Sequence, residues 1–249
     1  ELATEFATPS RRVAWRECMA RNLKATDALI ERCWKTLGRP GPWAGTGPNH
    51  FFGWFAVAYH QARVLEDARM LRRCRAAMAK HLRLQHPAGY FPEHTGPAVL
   101  YHGVSLGGVA EFHRLCPSAA TRRALTRGVA FMVNCAYPDL RGIETFDERN
   151  RIGYDPGFQP ALAWTPMGRA MLRRIVEQRR AGQGKGFPSG VNMAFGEWWT
   201  LGGAFRCYEH VRAAPKAEAA ALPQERARWR WRLEDYGLVR KDGPWTTAL

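Results

Sequence analysis

The chain has 249 residues, 46% of them hydrophobic, with 37 Lys and Arg against 22 Asp and Glu and a formal net charge of +15. That length fits one domain or at most two around a substantial core, and the composition argues against wholesale disorder. The longest apolar run, Phe51 to Tyr59, falls well short of the ~20 residues a membrane span needs, so no membrane partner is expected.

The periodicity is helical almost throughout and predicts an all-α fold. A first helix is expected from about Val13 to Thr36. A second, from about Asn49, carries Phe51, Phe55, Tyr59 and Ala62, and a third holds Leu71, Cys74, Met78 and Leu82. The fourth follows Tyr101 with Val104, Gly108, Phe112 and Leu115. A fifth starts after Pro117 with Ser118 as N-cap and contains Leu125, Val129 and Met132. The sixth spans roughly Pro160 to Arg180, with Pro160 near its first turn and Pro166 as a kink. A seventh runs from about Asn192 to Arg212, and a short last helix is expected near Glu225 to Glu234. No β-hairpin is predicted.

The helices alternate in character. Those starting at Asn49, Tyr101 and Asn192 are apolar or small around much of their circumference, as buried helices are, whereas 69–84 and 121–133 carry Arg on one broad face. Long connections (38–48, 86–98, 139–159 and 181–190) precede the inner helices, and tight ones near Glu66 and Pro117 follow them. Antiparallel pairing would gather the long connections at one end, the layout of an α/α toroid or helical-hairpin solenoid. One catalytic domain over 1–249 is expected, with 214–249 as a C-terminal extension.

Excess Arg favours polyanionic partners, although solvated outer helix faces would also account for much of it. Cys18, Cys33, Cys74, Cys116, Cys135 and Cys207 form no CxxC pair, and no His stands at zinc-finger spacing, so cysteine usage leaves the compartment open. The chain opens without Met or a signal peptide and reads as a mature product or a piece of something longer, with a secreted or periplasmic location expected.

Each long connection carries polar residues suited to chemistry. The first contains Trp43 and ends in Asn49-His50 at a helix mouth, where anions bind; Asn49 as an N-cap and His50 as a satisfied first-turn residue are the plainer roles. The second contains Glu93 and His94 and ends in Tyr101-His102. The third holds Asp147, Glu148, Arg149, Asn150, Arg151 and Tyr154. Trp43, Trp54, Trp164, Trp198 and Trp199 are candidate sugar platforms, at least half of them expected in the core instead. His60, His81, His113 and His210 read as structural.

This layout resembles the α/α-toroid polysaccharide lyases that act on alginate, glucuronan, heparin-like and related uronate polymers. The likeness rests on Asn49-His50 after a Gly-Pro-Trp connection, on Phe91-Pro92-Glu93 leading to Tyr101-His102-Gly103, and on Asp147 to Arg151 leading to Tyr154. It covers roughly Pro40 to Arg206, with fewer helices than six hairpins supply and no C-terminal β-sandwich, so an incomplete barrel is expected. The resemblance implies β-elimination on a uronate-containing acidic polysaccharide. Asn49 and Arg151 would neutralise the carboxylate, His50 or His102 would take the C5 proton, and Tyr154 or Tyr101 would protonate the departing O4. Arg149, Asn150, Glu93, His94 and Trp43 would help bind the chain.

Two other classes fit the sequence. A glycoside hydrolase on the same scaffold would need paired carboxylates, for which Glu93, Asp147, Asp155 and Glu197 are available. A non-catalytic polyanion-binding domain would need basic and aromatic residues interleaved on one face, which the spread of Arg does not suggest, so nucleic acid is the weaker partner. No cofactor is expected. A divalent metal could gather only from His50, His94 and His102 with Glu93 or Asp147, without local ligand spacing to support it.

Overall fold

A computed structural model describes residues 7–36, 47–92, 96–140, 142–143, 159–182, 205–216, 218, 220–233, 237–243 and 245–248. Six helices run through the body: α1 (Pro9–Thr36), α2 (Gly47–Val64), α3 (Ala68–Leu82), α4 (Val99–Leu115), α5 (Ala119–Asn134) and α6 (Pro166–Arg180). A further helical stretch, α7, covers 205–213. Three antiparallel strands follow in the order β1-β2-β3: β1 (Arg228–Leu233), β2 (Gly237–Asp242) and β3 (Trp245–Ala248). The fold is therefore mostly helical with a small sheet, and the described residues show no toroid or barrel.

Local sequence explains most boundaries. Ser118 caps α5 in a capping box, its Oγ accepting from the Thr121 N–H at 3.1 Å, and Asp67 caps α3 by accepting from the Met70 N–H at 2.9 Å. Pro166 does not kink a long helix, as its position suggested, but starts one. Thr165 is extended at φ −133°, as a residue before proline tends to be, and its Oγ1 accepts from the Gly168 N–H at 3.0 Å. The preceding residues Pro160–Trp164 form a separate 3-10 turn.

The expected last helix near Glu225 to Glu234 is instead strand β1. Its sequence, Arg-Trp-Arg-Trp-Arg-Leu, alternates with the period of a strand: the arginines are exposed, the tryptophans half-buried and Leu233 buried. Trp231 and Leu233, with their pairs Val239 and Gly237, turn inward. There Leu233 joins Tyr90, Val99, Phe131 and Cys135 in a small second core, and Trp231 meets Phe131 edge-on at 5.7 Å. Gln224 ties the sheet to the end of α5, its amide donating to the Val133 and Ala136 carbonyls at 2.7 and 2.8 Å.

The main core lies between α2 and α4, with α3, α5, the 3-10 turn and α6 packed around them. Two contacts fix the direction of the inner pair. A Cβ on Gly108 would stand 2.5 Å from the Gly53 nitrogen, and Tyr59 meets Phe112 at 4.9 Å further along. Both helices thus run the same way and begin at the same end. Helix α3 returns antiparallel, bringing His81 near its C-terminus to within 5.3 Å of Phe51 in the first turn of α2. The tight connections at Glu66 (φ +59°) and Ser118 lie at the opposite end. Helix α1 joins through buried Leu23 and Ile30 and through ion pairs from Asp27 and Glu31 to Arg69 and Arg73.

Candidate functional site

The described part of the site is the shared end where α2 and α4 begin. His50 is exposed in the first turn of α2 and stacks on Trp54, one turn on, with ring centroids 5.5 Å apart and planes 16° from parallel. Trp54 is 40% exposed, and its other neighbour, Phe51, holds it at 5.6 Å. Positions 50, 54 and 57 form the exposed stripe of α2, whereas Phe52, Phe55 and Tyr59 form the buried one. Asn49 lies beneath the surface at 3% exposure. Tyr101, half-buried in the first turn of α4, completes the described set.

The approach to α4 is well anchored. Tyr90 stacks on His86 at 4.5 Å and tilts against Phe131, while Arg127 donates to the His86 carbonyl at 2.7 Å. Gly89 takes φ +106° and presses its Cα against the Arg127 carbonyl, where any Cβ would collide. Gln85 donates to the Gly89 and Ala124 carbonyls at 2.7 and 2.9 Å. These bonds hold Tyr90 and Phe91 inward.

His102 departs from its expected role. Its ring is fully buried; Nδ1 accepts the Phe91 N–H at 3.2 Å and Nε2–H donates to the Gly128 carbonyl at 2.9 Å. With both nitrogens engaged by backbone and Phe131 edge-on at 4.9 Å, the imidazole joins α4 to α5 and presents nothing to a ligand. Burial holds its pKa down at about 4, outweighing the hydrogen bond to Gly128. Unfolding restores the ordinary value of 6.5. The unfolded chain then binds the extra proton, so stability is lost as pH falls from about 6.5 to about 4. Urea titrations across that window are expected to show a decline of about 3 kcal/mol from this ring. A His102→Gln variant, already less stable, should lack that part of the slope.

Trp43, Glu93, His94, Arg149, Asn150, Arg151 and Tyr154 lie outside the described residues, as do Asp147, Asp155, Glu197, Trp198 and Trp199. Among the described residues no three His, Cys, Asp or Glu side chains gather as a metal site, and no helix is long and apolar enough to cross a membrane.

A second polar cluster sits at the far end of α4. The Trp164 indole N–H donates to His210 Nδ1 at 2.8 Å, and His210 Nε2–H donates to Glu111 at 2.9 Å. Arg114 reaches the same carboxylate at 2.5 and 3.2 Å. Alongside, His113 bonds Thr121 at 2.6 Å and meets the Trp164 ring edge-on. Burial works against ionising Glu111, but hydrogen bonds from His210 and Arg114 together outweigh it and bring its pKa to about 2. Trp164 is thus a structural donor, not a sugar platform. His81 is likewise buried, donating through Nδ1 to the Ala77 carbonyl at 2.9 Å within a box of phenylalanines. His60 is exposed on α2.

Of the cysteines whose side chains are described, none forms a disulfide; Cys74, Cys135 and Cys207 are buried and Cys18 is exposed. Burial pushes the thiols of Cys74 and Cys207 up to about 12 and about 11, which suits packing and not nucleophilic attack. No protein-family model, curated protein or solved structure matches the chain.

Proposed function

We propose that the chain is a polysaccharide lyase that cleaves a uronate-containing polymer by β-elimination at the end where α2 and α4 begin. The helical hairpins would be part of an α/α toroid, with α2 and α4 as inner helices. The observation that carries this reading is an exposed imidazole stacked on an exposed indole, at a helix mouth adjoining that of a parallel inner helix which bears Tyr101. A flat aromatic face suits a sugar ring, and an exposed imidazole suits proton abstraction.

The chemistry divides among few groups. The C5–H of a uronate is acidified only when its carboxylate charge is compensated, a task for Arg151 with Arg149 beside it. His50 takes the C5 proton, the electron pair forms the C4–C5 double bond, and the C4–O bond breaks. A phenol, Tyr101 or Tyr154, gives its proton to the departing oxygen. His102 is left out of this division because both its nitrogens are bonded to backbone. Asn49 is set aside as well, because its side chain is buried at 3% exposure.

The test is near-ultraviolet absorbance of a 4,5-unsaturated product from a panel of acidic polysaccharides. His50→Ala should lower the rate by about 10²- to 10⁴-fold, with an unchanged melting temperature because the side chain is exposed. Full activity in that variant would remove His50 from the mechanism. Cleavage without the absorbing product would replace elimination by hydrolysis.

A further inference from the structure

We propose that Trp54 is a positioning residue for this site: its indole holds the exposed His50 imidazole in one orientation. On a helix a side chain leans toward the N-terminus and covers the turn before its own Cα, so position 54 reaches back over positions 50 and 51. The indole meets both there. It stacks on His50 with ring centroids 5.5 Å apart and planes 16° from parallel, and Phe51 lies tilted against it at 5.6 Å. That separation and angle are those of an offset stack, which stabilises two rings beyond the area they bury. An exposed histidine in the first turn of a helix otherwise turns among its rotamers and is ordered only at an entropic cost. Here the ordering is done within the helix, before a substrate arrives.

The indole can hold another ring because it is itself held. Phe51 stacks on Phe55 at 6.2 Å and meets His81 edge-on at 5.3 Å, and Phe55 meets the same imidazole at 4.9 Å. Phe55 and His81 are fully buried, and His81 donates through Nδ1 to the Ala77 carbonyl at 2.9 Å. A run of rings thus leads from a bonded imidazole in the core, through Phe55 and Phe51, to the 40% exposed indole and on to His50. A sugar platform is the other duty open to Trp54, and the two differ in what they change. A platform acts on binding, whereas a ring that orients the base acts on proton transfer, because a misplaced base costs rate with the substrate still bound. The stack assigns the face turned to His50 to the second duty and leaves the rest of the indole to the first.

The catalytic consequence rests on the proposed lyase reading; the hold on the imidazole does not, and the two are measured separately. Proton NMR of the whole chain, with no ligand present, reads the ring. The His50 imidazole resonances, assigned by their loss in His50→Ala, should be displaced upfield by the indole ring current. They should return to ordinary positions in Trp54→Leu and keep part of the displacement in Trp54→Phe. Unmoved resonances of the buried His102 and His113 report that the variants are folded. Turnover is followed with polygalacturonate, alginate and heparin as probes. On whichever yields the unsaturated product, Trp54→Leu should lower kcat about 10- to 100-fold, with part of the rate recovered in Trp54→Phe. His50 resonances that stay in place in Trp54→Leu overturn the proposal. So does a rise in KM with kcat intact, which makes the indole a sugar platform alone. If the resonances move as expected and no probe yields product, the hold on the ring stands and the lyase reading falls.

Discussion

Gly108→Ala is expected to cost about 3 kcal/mol or more and to lower the denaturant midpoint accordingly. The added methyl would sit 2.5 Å from the Gly53 nitrogen and the Phe52 carbonyl carbon, both backbone, and 2.8 Å from the Phe52 Cβ. Neither helix can give way by a side-chain rotation; α2 and α4 would have to separate, opening the packing of Phe52, Phe55 and Leu106 around them. Alanine has the better helix propensity by about 1 kcal/mol, which offsets only part of the loss. The internal control is Gly53→Ala, on the other helix of the same crossing, where a Cβ meets nothing within 4 Å. That variant should match or slightly exceed the parent. If both glycines tolerate alanine equally, the close approach of the two backbones is wrong.

Loss of the Glu111 carboxylate should be nearly as damaging. It accepts from His210 and from Arg114, and His210 in turn accepts from Trp164, so Glu111→Leu leaves the His210 N–H and the Arg114 guanidinium without their acceptor. A loss of about 2–4 kcal/mol is expected at pH 7, read by denaturation and by a change in Trp fluorescence as the Trp164 indole relaxes. The pH dependence has a definite sign. Glu111 titrates at about 2 in the fold against an ordinary 4.5, so its contribution is complete above pH 4.5 and fades as pH falls toward 2. The acid slope in that window should flatten in Glu111→Gln, while the slope from His102 at higher pH persists. A side chain 33% exposed feels solvent screening, so the part that titrates should be on the order of 2 kcal/mol.

Much of the helical body was legible because its signals are local. The stripe Leu71, Cys74, Met78 and Leu82, of which Cys74 and Met78 are fully buried and the two leucines pack against the core, and the cap at Ser118 each lie within a turn or two of what they specify. The misreadings come from patterns with two meanings. Arg-Trp-Arg-Trp-Arg-Leu can be laid on a helix as well as a strand, and what decides is Phe131 and Tyr90, distant in sequence, offering a surface for alternate residues. Pro166 fits either a kink or a start, and the extended Thr165 before it settles the matter.

The paired motifs Asn49-His50 and Tyr101-His102 look equivalent in sequence, yet their histidines have opposite environments. His102 shares a buried stripe with Leu106, Val109 and His113, spacings of a core face that place it inside. His50 shares its stripe with Trp54 and Val57, both exposed. Reading each histidine against its own helix, and not against its neighbour in a motif, would have separated them. The polar network of Glu111, His210 and Trp164 left no such trace, since its members come from three elements up to 99 positions apart.

Where two helices touch backbone to backbone, as at Gly53 and Gly108, no layer of side chains lies between them to slide or repack. His50 and Tyr101 are therefore borne on one stiff pedestal, their separation insensitive to whatever occupies the space above. A guest bound at this end, a sugar ring on the reading proposed above, would meet a floor whose width does not adjust to it.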